Sequence, residues 1–381
     1  MIYRKFQDIE LSALGFGAMR MPVKDGSDSQ IDEEKAAEMI DRAMENGINY
    51  YDTAWGYHGG NSELVVGRTL KKYPRDSFYL ATKFPGYDLS NMPKVKEIFE
   101  KQLEKLQMDY FDFYLFHNVC EMNIDQYLDP EFGIYDYLME QKKNGRIKHL
   151  GFSCHGELAV MKRFLEAYGK DMEFCQIQLN YLDWTFQGAK EKVELLKEYG
   201  IPVWVMEPLR GGSLAKLSED QEKKLKALRP DEEIPAWAFR FLQSVPEVTV
   251  TLSGMSNMEQ LMANIKTYEE DKLLNDEEMK AVLEVAEDIK AANSIPCTAC
   301  HYCVSHCPKK LDIPKFIALY NEHVVTIKRG GLDFIAPMAL SVMDKDEKPG
   351  ACVHCHSCEQ VCPQNIKISD FMTQFSEELP M

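Results

Sequence analysis

Between Ala13 and Met255, short apolar runs rich in β-branched and aromatic residues alternate with longer stretches in which apolar positions recur every three to four residues. The first pattern suits a strand buried on both faces, the second a helix with one apolar side. Their alternation predicts repeated strand–helix units around a parallel sheet. Strands are predicted at 14–19, 48–53, 78–83, 111–117, 149–153, 174–179, 203–206 and 248–252. Helices are predicted between them, for example at 32–46, 62–73, 94–106 and 190–199, the last stopped by Gly200 and Pro202. Eight such units in about 260 residues suggest an α/β fold of the (β/α)8 TIM-barrel type, with an open doubly wound sheet as the alternative.

Outside this region, 2–6 and 9–11 flank a short polar turn and form a candidate hairpin plugging the barrel's N-terminal end. A helix over 276–292 leads out of the barrel into a segment of different character. There, Cys297, Cys300, Cys303 and Cys307 precede Pro308, and the same spacing returns as Cys352, Cys355, Cys358 and Cys362 before Pro363. A C-x-x-C-x-x-C loop can wrap one cubane, whose four irons need four thiolates. The pattern resembles the ligand set of a two-cluster bacterial ferredoxin, in which the cysteine before proline serves the other cluster. Zinc and disulfides are the competing uses of cysteine, but zinc ribbons use paired C-x-x-C arms. Two [4Fe-4S] clusters are therefore expected. The stretch between the motifs has a helical pattern over 313–327, so the resemblance implies a smaller, mostly helical ferredoxin-like domain. The expected domains are a barrel over 1–290 and a ferredoxin-like domain over 291–381.

Only Cys120, Cys154 and Cys175 lie outside the motifs, too few and too scattered for a disulfide framework. The first residues, MIYRKFQDIE, carry charge where a signal peptide needs an apolar stretch, and no apolar run reaches membrane-spanning length. A cytoplasmic protein without a membrane partner is expected. Net charge is −17, with −15 on the first 290 residues and −2 on the rest, which argues against nucleic acid as a partner.

In a barrel of this type the active site lies at the C-terminal ends of the strands. Asp52 ends the second predicted strand and Tyr57 follows in the next loop; Lys83 ends the third and His117 the fourth. A carbonyl reduced at carbon develops alkoxide charge at oxygen and needs a proton donor with positive charge beside it. Tyr57 is the natural acid. Lys83 is expected to lower its pKa, Asp52 to pair with Lys83, and His117 to orient the substrate oxygen by a hydrogen bond. Any one of these residues alone is as well explained by a structural ion pair or a capped strand end. Four on three successive strand ends point to catalysis.

The spacing D-T-A-x-x-Y, the T-K closing strand three and the F-H closing strand four resemble those of aldo-keto reductases, over roughly residues 2–290. The resemblance implies reduction of an aldehyde or ketone by a nicotinamide cofactor, NAD(H) or NADP(H). It places Ala18 and Met19 beside that cofactor, Ser153 and Gln176 on its carboxamide, and Met206 where many members stack an aromatic ring. The usual Asn after Ser153 is replaced by Cys154. Pro208, Leu209, Gly211 and Gly212 match the pyrophosphate loop, and Gly254, Ser256, Gln260 and Asn264 the adenosine segment. That last segment has no Arg or Lys before Lys266 to meet a 2′-phosphate, so NAD is expected to bind at least as well as NADP. Trp55, His58, Tyr87 and Asn118 are candidates for lining a substrate pocket.

Hydride moves two electrons and a cubane one, which leaves three readings of the combination. The chain is a carbonyl reductase with structural or sensing clusters; or the clusters relay electrons from a ferredoxin, with a flavin possible at the barrel mouth but not indicated by a domain of its own; or the barrel is a non-catalytic redox-sensing module. Lys309, Lys310, Lys315, Lys328 and Arg329 supply local positive charge on which an acidic ferredoxin could dock.

Overall fold

A computed structural model describes residues 1–293, 295, 297, 302–328, 330–362 and 364–380, with the side chains of 292, 293 and 302 left aside. Cys300, Arg329 and Pro363 of the predicted features lie outside the described residues. The chain divides into two compact units, Met1–Leu209 with Leu217–Val282, and Arg210–Lys216 with Leu283–Met381.

In the first unit, β1 (Tyr3–Phe6) and β2 (Ile9–Ser12) form an antiparallel hairpin. Eight parallel strands follow: β3 (Leu14–Gly17), β4 (Tyr50–Asp52), β5 (Tyr79–Phe84), β6 (Phe111–Val119), β7 (Ile147–Cys154), β8 (Cys175–Gln178), β9 (Val203–Met206) and β10 (Val248–Ser253). Each pairs with the next, and β10 pairs with both β9 and β3, so the sheet closes. Closure rules out the open sheet. Strand ends differ from the predicted ones by a few residues: Ala18 and Met19 fall just beyond β3, with Ala18 donating to Asp52 O at the end of β4 (2.8 Å).

Inward-facing aromatic and aliphatic side chains fill the barrel. Phe6 of the hairpin joins Tyr50, Phe113, Phe174, Trp204 and Val250 in one buried cluster. Its ring meets Trp204 edge-on at 5.1 Å and His149 at 5.0 Å. A two-stranded hairpin is marginal alone, so its stability comes from this apolar seat.

In the second unit, the helices Ile313–Lys328, Ile335–Ser341 and Ile368–Glu378 pack around a core containing Phe316, Ile317, Tyr320, Leu340, Phe371 and Phe375. The predicted helix between the cysteine motifs is thus present. Among the described residues no helix is long and apolar enough to cross a membrane.

Candidate active site and cluster-binding repeat

Parallel register brings the four predicted catalytic residues to one end of the barrel. Asp52 ends β4, level with Ala81 of β5, so Lys83 lies two residues further along its own strand on the same face. The Lys83 ammonium is fully buried and donates to Asp52 at 2.6 Å and to the Thr53 carbonyl at 2.9 Å. Its third direction reaches the Tyr57 hydroxyl at 3.4 Å. Tyr57 opens the turn Tyr57–Gly60, in which His58, Gly59 and Gly60 all take left-handed backbone. His117, near the end of β6, stands edge-on between two tyrosine rings, Tyr57 at 6.0 Å and Tyr87 at 5.2 Å. Gly56 makes this crowding possible: a Cβ there would sit 2.3 Å from the Tyr87 hydroxyl.

Burial sets the electrostatics. It pushes the Tyr57 phenol above its ordinary value, with Lys83 pulling the other way and Asp52 adding to the rise. The net direction is therefore opposite to the predicted lowering: the phenol is held protonated, and Lys83 limits the rise. Burial also drives the His117 imidazole well below its usual value, Lys83 adding to the effect, so this histidine is neutral at neutral pH. For Lys83, burial opposes the charge, but the Asp52 carboxylate and the Tyr57 hydroxyl together outweigh it and raise the pKa. Burial raises the Asp52 carboxyl too, with Lys83 opposing. A proton on Asp52 would leave the Lys83 ammonium buried without its counter-ion, so the ionised pair is the state this geometry supports.

Of the predicted cofactor residues, Ser153 and Gln176 are buried neighbours in register on β7 and β8. Ser153 Oγ accepts the Asn118 N–H at 2.8 Å, leaving its own hydroxyl proton to donate, and Gln176 offers both a donor and an acceptor. A carboxamide needs that combination, so the donor set fits a nicotinamide. Met206, half-buried, ends β9, and Pro208 is buried beside half-buried Leu209. Ala18 is buried and Met19 exposed. Gly254, Ser256 and Gln260 are exposed, Gln260 accepting the Ser256 N–H at 2.8 Å, whereas Asn264 is buried and donates to Ser253 Oγ at 3.0 Å. Gly211 and Gly212 have left-handed backbone and belong to the second unit.

Two charged residues were missed by sequence reasoning. Arg20 lies against Gly254, where a Cβ would stand 3.1 Å from its side-chain carbons, and it pairs with Glu207 at 3.6 Å. Glu207 in turn adds to the rise of the Tyr57 pKa. The available signal was a lone charge directly after each of two strands. Among the pocket candidates, Trp55 carries the Lys105 ammonium 4.6 Å over its ring, and His58 is buried with both ring nitrogens bonded to backbone.

In the second unit the described parts of the two cysteine motifs fold as a repeat. Cys303 and Cys358, the third cysteine of each motif, sit in the short helical turns Tyr302–Ser305 and Ser357–Gln360. The Cys307 N–H bonds Val304 O and the Cys362 N–H bonds Glu359 O, both at 3.2 Å. Lys310 and Asn365, each three residues after the last cysteine, take left-handed backbone, and Phe316 and Phe371 start the equivalent helices with bonds to Asp312 O and Lys367 O. Cys303 and Cys358 are buried, and Cys297, Cys307, Cys352 and Cys362 pack against the same core. Cys307, the proline-preceding cysteine of the first motif, packs against the same core as Cys352 and Cys358 of the second, and the short turns that hold Cys303 and Cys358 lie against each other.

Among the described residues no three Cys, His, Asp or Glu side chains take the geometry of a single-ion site. A cubane instead spreads its thiolates over four irons, so the repeat and the placement of Cys307 fit iron–sulfur clusters. Also in this unit, the buried Arg210 guanidinium pairs with Glu322, which accepts Thr326 Oγ1 at 3.0 Å.

Comparison with known proteins agrees with both parts. Residues 13–287 match the model of the aldo/keto reductase family and residues 296–366 that of a 4Fe-4S dicluster domain. An aldo-keto reductase from Bacillus halodurans, solved in its holo form, superposes with a TM-score of 0.62 at 28% identity, over 75% of this chain and 96% of its own. An NADH-specific methylglyoxal reductase of Escherichia coli (strain K12) is 25% identical over 326 residues, which cover 74% of this chain and 97% of the relative. An uncharacterized oxidoreductase of Bacillus subtilis (strain 168) is 26% identical over 72% of this chain and 92% of its own. With a closed barrel, a lysine-centred cluster at its strand ends and a cysteine repeat beyond it, the chain belongs to the aldo/keto reductase family, as an oxidoreductase whose barrel is followed by a 4Fe-4S dicluster domain.

Proposed function

We propose that this oxidoreductase reduces an aldehyde or ketone with NADH or NADPH, Tyr57 serving as proton donor, and that its C-terminal segment holds two [4Fe-4S] clusters. The observation that supports this best is the buried Lys83 ammonium shared between Asp52 and the Tyr57 hydroxyl. A reduced nicotinamide, when bound, supplies a hydride to the carbonyl carbon. Tyr57 gives its phenolic proton to the carbonyl oxygen, and Lys83 stabilises the phenolate left behind. Asp52 fixes the ammonium. Neutral His117 has one N–H with which to hold the substrate oxygen in line. Ser153 and Gln176 hold the carboxamide, and the name of the Escherichia coli relative favours NADH.

A second use of the clusters, as an electron relay from a ferredoxin, is favoured by one feature. Cys355 is exposed, which puts one ligand of the second motif at the surface where a partner could exchange electrons.

Tyr57→Phe tests the main reading, since it keeps the ring and removes the transferable proton. Carbonyl turnover should fall by about 10² to 10⁴ while dinucleotide binding persists. Unchanged turnover would reject the assignment.

A further inference from the structure

The histidine directly after the candidate acid does not face a substrate pocket. His58 is 2% exposed. Its Nε2 accepts the Met21 N–H at 3.1 Å, and its Nδ1 donates to the Asp28 carbonyl at 2.7 Å, so these bonds fix one neutral tautomer. The Asp28 carboxylate lies 3.2 Å from the same Nδ1 but is largely exposed. Met21 and Asp28 belong to the excursion after β3. That excursion closes on itself through the Val23↔Ile31 bridge and the Asp32 N–H to Pro22 O bond. His58 therefore grips it at its base and near its tip. Neighbouring bonds tie the same two segments: Ser62 Oγ to Ala18 O at 2.9 Å and Asn61 Nδ2 to Ser29 O at 2.9 Å.

The position is an unusual one for a side chain. His58 has φ 53°, a left-handed conformation shared with Gly59 and Gly60. Glycine adopts it most readily, and histidine is among the few other residues enriched there. A turn that needed only this backbone shape would be served by glycine at all three positions. What histidine adds is the pair of ring nitrogens.

We propose that His58 is a positioning residue for the dinucleotide. It holds the segment after β3 against the Tyr57 turn and so fixes Met19 and Arg20, the latter reaching Gly254 and Glu207 beyond the ends of β10 and β9. This inference rests on the reading that Ala18, Met19 and Gly254 flank a nicotinamide cofactor. Of the two bonds, the one to Met21 N–H matters more for binding, because Met21 adjoins Arg20.

The test compares His58→Gly, His58→Gln and His58→Asn in the full chain, purified anaerobically with its clusters. Gln can supply an oxygen in the place of Nε2 for the Met21 N–H, whereas Asn can supply an N–H in the place of Nδ1 for Asp28 O. NADH and NADPH binding is titrated by fluorescence, and amide hydrogen exchange over residues 18–32 is followed by mass spectrometry without dinucleotide. His58→Gly should weaken the tighter dinucleotide by about tenfold, the scale of two lost hydrogen bonds, and speed exchange in the segment; His58→Gln should recover to within about threefold and His58→Asn less. Wild-type affinity in His58→Gly, or equal recovery by Gln and Asn, would overturn the proposal. If the wild type itself binds neither dinucleotide, the nicotinamide reading fails, and the exchange data still decide whether His58 holds the segment.

Discussion

Lys83 stands 3.4 Å from the Tyr57 hydroxyl and 2.6 Å from Asp52, yet the phenol lies above, not below, its ordinary pKa because burial outweighs the ammonium. A proton donor works in its protonated form. Carbonyl reduction should therefore stay level through neutral pH and fall only above about pH 10, the ordinary tyrosine value. The pH profile of kcat/KM measures this directly, and an inflection near neutrality would mean that Lys83 dominates after all. Lys83→Met should cost about 10² or more in turnover, through loss of the charge beside the developing phenolate.

A second prediction concerns the dinucleotide. No basic residue lies between Gly254 and Asn264, and Gln260 is exposed with its side chain bonded to Ser256 N–H. NADH should bind at least as tightly as NADPH, and Gln260→Arg should improve NADPH more than NADH by adding a phosphate partner. Arg20, which packs against Gly254, is the residue to examine if the wild type prefers NADPH tenfold or more.

At the other end of the barrel, Glu173 predicts how stability varies with pH. Burial acts to raise its pKa, but donors from His149 (2.8 Å), Lys142 and Gln7 (2.7 Å) outweigh it and hold the value at about 2 against 4.5. A carboxylate with a depressed pKa adds stability above its unfolded value, and that contribution fades as pH falls through 4.5 toward about 2. By linkage it is on the order of 3 kcal/mol at neutral pH. Glu173→Gln should lower barrel stability in denaturant unfolding at pH 7, and the gap from wild type should narrow below about pH 4.5. A gap that stays constant with pH would show that the charge is not what these donors recognise.

What the sequence made legible follows from periodicity and spacing. Alternating apolar runs and helical patterns identify strands and helices, and one titratable residue at each of several strand ends points to the candidate catalytic group. Both signals are local. Arg20 with Glu207 was not legible, because their pairing depends on closure, which brings the ends of β3 and β9 close to that of β10. The direction of the Tyr57 shift was missed for a related reason: a neighbouring charge can be guessed from spacing, whereas the degree of burial is a property of the packed barrel. His58, read as a pocket residue from its place beside Tyr57, turned out to face the excursion after β3, since the left-handed backbone turns its ring away. The cysteine repeat was visible as spacing, and the structure adds that its hydrogen bonds and helix starts repeat as well.

The last prediction separates a structural from an electron-carrying role for the clusters. Anaerobic protein should contain about eight iron and eight sulfide per chain, and zinc without iron would reject the cluster reading at the outset. A relay also needs a docking surface. Lys309 and Lys310 directly follow Cys307 and Pro308 and are exposed, as is Lys328 at the end of its helix. Charge steering acts locally and weakens with salt, so an acidic ferredoxin could be drawn to this patch despite the −17 of the whole chain. If the clusters relay electrons, reduced ferredoxin should drive substrate reduction, added salt should slow it, and the double variant Lys309→Glu, Lys310→Glu should slow it further while leaving NADH-driven turnover unchanged. Full turnover with NADH alone, together with no effect of the charge reversals on either reaction, would leave the clusters a structural or sensing role.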